Sequence, residues 1–133
     1  MNPNTTYQIV LFRSAAIFNW LACLIFMPAT GLSAAAGFEP LMTNGPFEQI
    51  ALLAIALFGL GYWMAGNDFA ANRGIILLGL IGKIAVVAIM FGHYFLVGDV
   101  NLSQAALTLG DVLYSVLFIQ ALRSTPAVAS AIR

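Results

Sequence analysis

Charge is what this chain has least of. Five acidic and five basic residues are spread over 133 positions, they cancel to a net charge of zero, and Lys83 is the only lysine. A soluble domain of this size needs charged side chains to cover its surface, so a charged content of 8% argues against the ordinary soluble class. Zero net charge also leaves no electrostatic footprint for nucleic acid or for an anionic membrane surface. Cysteine is nearly absent: Cys23 has no partner for an internal disulfide and sits in an apolar stretch, so it reads as a small core residue. The single histidine, His93, lies near a helix end beside Tyr94 and has no second histidine to complete a metal or haem site, so it reads as interfacial. There is no nucleophile elbow, phosphate-binding glycine loop, zinc motif or paired-carboxylate motif. Neither catalysis nor a cofactor or metal is derivable from motifs.

What the chain has instead is apolar length. Hydrophobic residues make up 62% and the mean hydropathy is +0.96. Four runs reach the roughly 20 residues needed to cross a hydrocarbon layer: 7–27, 47–66, 74–97 and 104–122. Breakers separate them: Pro28, Gly31, Pro40 and "TNGP" in the first connection, "GNDFAANRG" in the second and "VGDVNLS" in the third. The expectation is an all-α integral membrane four-helix bundle forming one transmembrane domain over residues 1–133, with a long outer loop at 28–46.

With four spans the N-terminus, the second connection and the C-terminus share one side. That side carries Arg73, Arg123 and Arg133, whereas the first and third connections carry only Glu39, Glu48 and Asp99. The positive-inside bias then puts both termini in the cytoplasm. Tyr7 and the Tyr62-Trp63 pair at the inner level, with Phe47 and His93-Tyr94-Phe95 at the outer level, read as interfacial belts. Glu48 beside Pro46 compensates the dipole of a helix start. A signal peptide is imitated by Arg13, the apolar stretch 15–27 and Ala34-x-Ala36, but the segment before the apolar stretch is unusually long, and the first helix is expected to be retained.

Polar residues inside the spans are the candidates for function, because an intramembrane ionisable group is costly. At about 1.5 Å per residue from the cytoplasmic helix ends, Lys83 lies about 13 Å deep, Asp111 about 16 Å, Asn19 about 18 Å and Arg13 about 9 Å. Lys83 and Asp111 are opposite charges at matching depth on consecutive helices, and they are expected to pair. Gly79 and Gly82 put Lys83 on a face that a second helix can approach. Thr108, Asp111 and Ser115 form a polar stripe, and Tyr114 could lend its hydroxyl. Lys83, Asp111, Thr108 and Ser115 are therefore read as one structural polar network. Lys83, Asp111, Arg13, Asn19 and Tyr114 are read as candidate ligand-binding residues, with Arg13 joining only if it points inward rather than snorkelling to the headgroups. Arg13 and Lys83 against Asp111 would leave one positive charge for an anionic ligand to balance.

"GYW" ending the second span, "NRGIILLGLIGK" entering the third and "GDVLYSVLF" in the fourth resemble a group of small bacterial inner-membrane proteins with four helices, similar in layout to the DoxX-like family. The first span, with Arg13, "FNW" and Pro28, fits the same layout. The resemblance implies a four-helix bundle, an inner-membrane location and attention to Arg13, Asn72, Arg73, Gly79, Gly82, Lys83, Gly110 and Asp111. DoxX-like proteins are associated with oxidoreductase partners, so it favours an accessory or structural subunit of a membrane redox complex. Such a subunit would meet other membrane proteins, or its own copies, through Gly61-x-x-x-Ala65, Ala88-x-x-x-Gly92 and Ala106-x-x-x-Gly110. The alternative is a binder, carrier or enzyme for a small amphiphile such as a quinone, lipid or isoprenoid, with Lys83 and Asp111 as the polar end of an apolar pocket. A small proton-coupled exporter would need a carboxylate in the first span, which has none. A packed bundle without a cavity favours the subunit, and a cavity reaching Lys83 and Asp111 favours the binder.

Overall fold

The computed structural model describes residues 4–35 and 45–124. All regular structure among them is helical. In order, α1 is Thr6–Phe26, a 3-10 turn follows at Pro28–Thr30, α2 is Leu32–Ala35, α3 is Pro46–Asn67, α4 is Phe69–Gly92 with a π-helical turn at His93–Val97, α5 is Leu102–Ala106 and α6 is Leu109–Ser124. Four helical stretches are each long and apolar enough to cross a membrane: α1, α3, α4 with its π turn, and α5 with α6. The rest of the long first loop, residues 36–44, and Arg133 lie outside the described residues.

Local chemistry sets these boundaries. Thr5 and Gln8 form a capping box at the start of α1, and Pro28 prevents its continuation. Pro46 occupies the first turn of α3, where its missing N–H costs nothing, and Glu48 lies in the same turn. The second connection is shorter than the sequence suggests. "GNDFAANRG" contains turn-forming residues, but Asp68 alone is non-helical: its carboxylate caps α4 by accepting from the Ala71 N–H at 3.1 Å. Asn4 then serves both helix ends, donating to the carbonyls of Ala65 and Gly66 at 2.8 and 2.9 Å and accepting from the Phe69 N–H at 2.8 Å. The fourth span begins at Leu102, two residues earlier than expected, because Asn101 and Gln104 make a second capping box. It breaks at Leu107–Thr108, where the Thr108 hydroxyl donates to the Ala105 carbonyl at 2.7 Å.

The contacts alternate in direction. Asn4 meets Ala65, Asn19 meets Ile55 and Cys23 meets Leu52, so α1 and α3 run antiparallel. Lys83 meets Asp111 and the Arg73 guanidinium meets the Leu122 carbonyl, so α4 and α6 do the same. α3 also packs on α4, whereas α1 touches α6 at few points, so the ring of spans has one loose seam. Gly59 and Gly66, two turns apart on α3, admit the Trp20 indole and the α1 backbone near Ile9 and Arg13.

Packing is uneven along the bundle. At the end that holds Asn4 and Ser124, Phe12 stacks on Phe69 at 5.2 Å, meets Phe118 at 5.4 Å, and Tyr62 stands edge-on to Phe118 at 5.1 Å. Leu11, Ala15, Ala16, Ala65, Ile76 and Ala121 complete this core. The half toward the loops is not filled in the same way. Outward, the helices present large apolar side chains such as Leu53, Leu57, Leu78, Ile81, Ile89 and Leu113, as a lipid-facing surface requires.

Candidate functional site

Lys83 stands at the boundary between the packed half and the open half. Counted from the helix ends at Thr6, Phe69 and Ser124, Asn19, Lys83 and Asp111 all lie about 20 Å along their helices. The match is closer than the sequence estimate because the true start of α4 is Phe69. Lys83 Nζ donates to Asp111 Oδ1 at 2.6 Å and to Asn19 Oδ1 at 3.3 Å. Asn19 is fixed in turn by donating through Nδ2 to the Ile55 carbonyl at 3.1 Å. Three rings surround the same ammonium, with centroids 5.2 Å away for Phe18, 5.6 Å for Tyr62 and 5.5 Å for Tyr114. Helical side chains lean toward their N-terminus, which turns Lys83 back onto this aromatic layer.

A cavity of about 440 Å³ opens beside the pair. All four spans contribute walls, and its length from Lys83 to Met90 on α4 is about 10 Å. Phe26, Ile55, Phe58, Val86 and Met90 make it apolar, while Asn19, Tyr62, Lys83 and Asp111 gather at its inner end. This is the usual composition of a small-molecule site, a mostly apolar hollow with a few convergent polar groups. Gly82 lies in its wall with open space where a Cβ would stand.

The structure sorts the candidate residues. Lys83, Asp111 and Asn19 come together, and Tyr114 joins through its ring rather than its hydroxyl. Arg13 does not join. It is exposed, stacks over Trp63 at 5.0 Å and donates to Asn67 Oδ1 at 3.1 Å, because helical rotation carries it away from Asn19. With Arg13 outside, the pair is electrically balanced and needs no anion. Of the four residues read as one polar network, Lys83 and Asp111 bond each other through their side chains, and Thr108 lines the same cavity. Thr108 turns its hydroxyl to the Ala105 carbonyl, and Ser115 donates to the Asp111 carbonyl at 2.7 Å, so both satisfy their own helix.

Tyr62 departs from expectation most. Read as an interfacial residue, it is 1% exposed and forms part of the site. Its ring lies across Gly79, so that glycine admits a tyrosine rather than a neighbouring helix backbone. Phe18 escaped the sequence reading too, although its position beside Asn19 was a usable signal. It bears on Gly110 and meets Tyr114 at 5.3 Å, bridging the loose seam between α1 and α6 by side chains. His93 is exposed outside this site, with Nδ1 2.9 Å from Asp99 Oδ1. Among the described residues no three His, Cys, Asp or Glu side chains cluster to hold a metal ion.

Comparison with known proteins finds no match to this chain among family models, curated proteins or solved structures. The DoxX-like resemblance therefore rests on the quoted segments alone.

Proposed function

We propose that this chain is a multi-pass membrane protein that binds a small amphiphile between its spans. The observation that supports this is a mostly apolar cavity of about 440 Å³ that reaches the Lys83–Asp111 pair and is also lined by Thr108 and Gln104. A quinone, lipid or isoprenoid would place its apolar part between Phe58 and Met90 and its head at Asp111. Two features suit such a role. The seam between α1 and α6 is closed by side chains rather than backbone contact, so a ligand can reach the hollow from the lipid by displacing Phe18. The aromatic core at the other end prevents passage through the bundle.

In this proposal both termini are cytoplasmic and the cavity lies toward the outer face of a bacterial inner membrane, following the arginine bias and the resemblance. A second reading, the accessory subunit of a redox complex, draws on the exposed Ala88 face of α4, where a partner helix could approach closely. The two are compatible if the subunit carries the amphiphile.

Gly82→Leu tests the cavity directly. A Cβ at this position meets open space in the cavity wall, so a leucine there is expected to extend into the hollow, and it removes a helix-interior glycine. The wild-type protein, gently extracted and measured by native mass spectrometry, is expected to retain a bound amphiphile. The variant should be equally or more stable and should lose that mass. Equal retention by both, or an empty wild type that binds no added quinone, lipid or prenol, refutes the proposal.

A further inference from the structure

The polar end of the cavity is not uniformly available to a ligand. Lys83 is enclosed: it donates to Asp111 and Asn19, and the rings of Phe18, Tyr62 and Tyr114 cover its remaining sides. Its side chain is 6% exposed, against 18% for Asp111. Both line the hollow, the carboxylate is the more accessible of the two, and no described residue donates a hydrogen bond to Asp111 Oδ2. Tyr62 adds a second open group. It is almost wholly buried and lines the cavity, yet its hydroxyl bonds to no described residue.

Charge narrows the choice further. Lys83 and Asp111 sum to zero and Arg13 stands outside, so a carboxylate or phosphate head would enter a low-dielectric site that holds no spare cation. A ketone or ether could accept from Tyr62 but would leave Asp111 Oδ2 without a donor. A hydroxyl answers both groups.

We infer that the cavity selects an uncharged amphiphile with a hydroxyl head, a long-chain alcohol in chemical class, whose O–H donates to Asp111 and whose oxygen accepts from Tyr62. This rests on the cavity reading and adds its selectivity. A hydrogen bond to a charged group is the stronger kind, and one to a neutral phenol the weaker.

The test is equilibrium binding of tritiated farnesol to the full chain in nanodiscs, with farnesyl methyl ether and farnesoic acid as competitors. Farnesol is expected to bind, and the ether, which cannot donate, to compete roughly 10- to 100-fold more weakly. The acid should be weaker than farnesol as well. Tyr62→Phe keeps the ring against Gly79 and Phe118 and should weaken farnesol roughly three- to tenfold. Lys83→Met with Asp111→Leu removes the acceptor and should abolish the preference for alcohol over ether, which a merely structural pair would not affect. Displacement by dodecanol or by a sterol distinguishes a linear from a fused-ring alcohol, and either supports the inference. Ether or acid competing as well as farnesol, with Gly82→Leu blocking all three, overturns the hydroxyl selectivity and leaves the cavity reading standing. No binding of any compound to the wild type overturns both.

Discussion

Removing one member of the Lys83–Asp111 pair should cost far more than removing both. The two atoms are 2.6 Å apart, and the side chains are 6% and 18% exposed, so each charge depends on the other for what water would have supplied. Orphaning one partner of a buried pair costs about 3 to 5 kcal/mol. Asp111→Leu strands the ammonium where water is scarcest, with only Asn19 and the three rings for compensation, so it belongs near the upper figure. Lys83→Met strands a carboxylate that faces a cavity, where water can reach it, so it belongs near the lower one. The double variant exchanges the pair for apolar side chains of similar size and should lie within about 1 to 2 kcal/mol of wild type, because such replacements are often neutral. The resulting coupling energy is about 6 kcal/mol. Reversible unfolding by SDS in mixed micelles, monitored by tryptophan fluorescence, measures all four proteins on one scale. If the two single losses add within about 0.5 kcal/mol, the residues do not act as a pair and the reasoning fails.

The spans were legible because crossing length and apolar content are properties of a segment, which a sequence displays directly. Their ends were less so. "GNDFAANRG" has the composition of a loop, but a helix start needs one capping side chain, and Asp68 with Ala70 and Ala71 behind it was enough. The Lys83–Asp111 contact was legible because depth along a helix follows from residue count, and opposite charges at one depth have few other partners in an apolar bundle. Arg13 was ambiguous because depth says nothing of rotation around the bundle axis. Tyr62 was misread because a tyrosine near a span end is usually interfacial, and only Gly79 on the facing helix makes room for its ring. The cavity was invisible for a related reason. Glycine and alanine in a span are equally consistent with close helix approach and with unfilled space: Gly59 and Gly66 receive α1, whereas Gly82 faces the hollow.

Arg13→Gln should alter stability by under about 1 kcal/mol and leave amphiphile retention unchanged, since the side chain is exposed and its guanidinium meets Asn67 and Trp63 outside the cavity; loss of retention would return Arg13 to the site. Single cysteines at residues 68 to 72, in a chain with Cys23 replaced by alanine, should be labelled only from the cytoplasmic side. Labelling from outside would reverse the orientation. The most discriminating pair lies three residues apart on α4. A Cβ on Gly82 meets open space, so Gly82→Ala should gain up to about 1 kcal/mol from helix propensity alone. A Cβ on Gly79 would stand 2.5 Å from Tyr62 Cε1 and 2.8 Å from Cζ, so the same substitution there must displace a ring wedged between Gly79, Phe58 and Phe118. Overpacking of that kind costs about 1 to 3 kcal/mol, more than the propensity gain, so Gly79→Ala should be destabilising and should also weaken retention by moving the Tyr62 hydroxyl. The two alanines are chemically identical and occupy one helix, so only tertiary surroundings can separate them; equal stabilisation by both would mean that Tyr62 does not lie across α4 and that the cavity has a different inner wall.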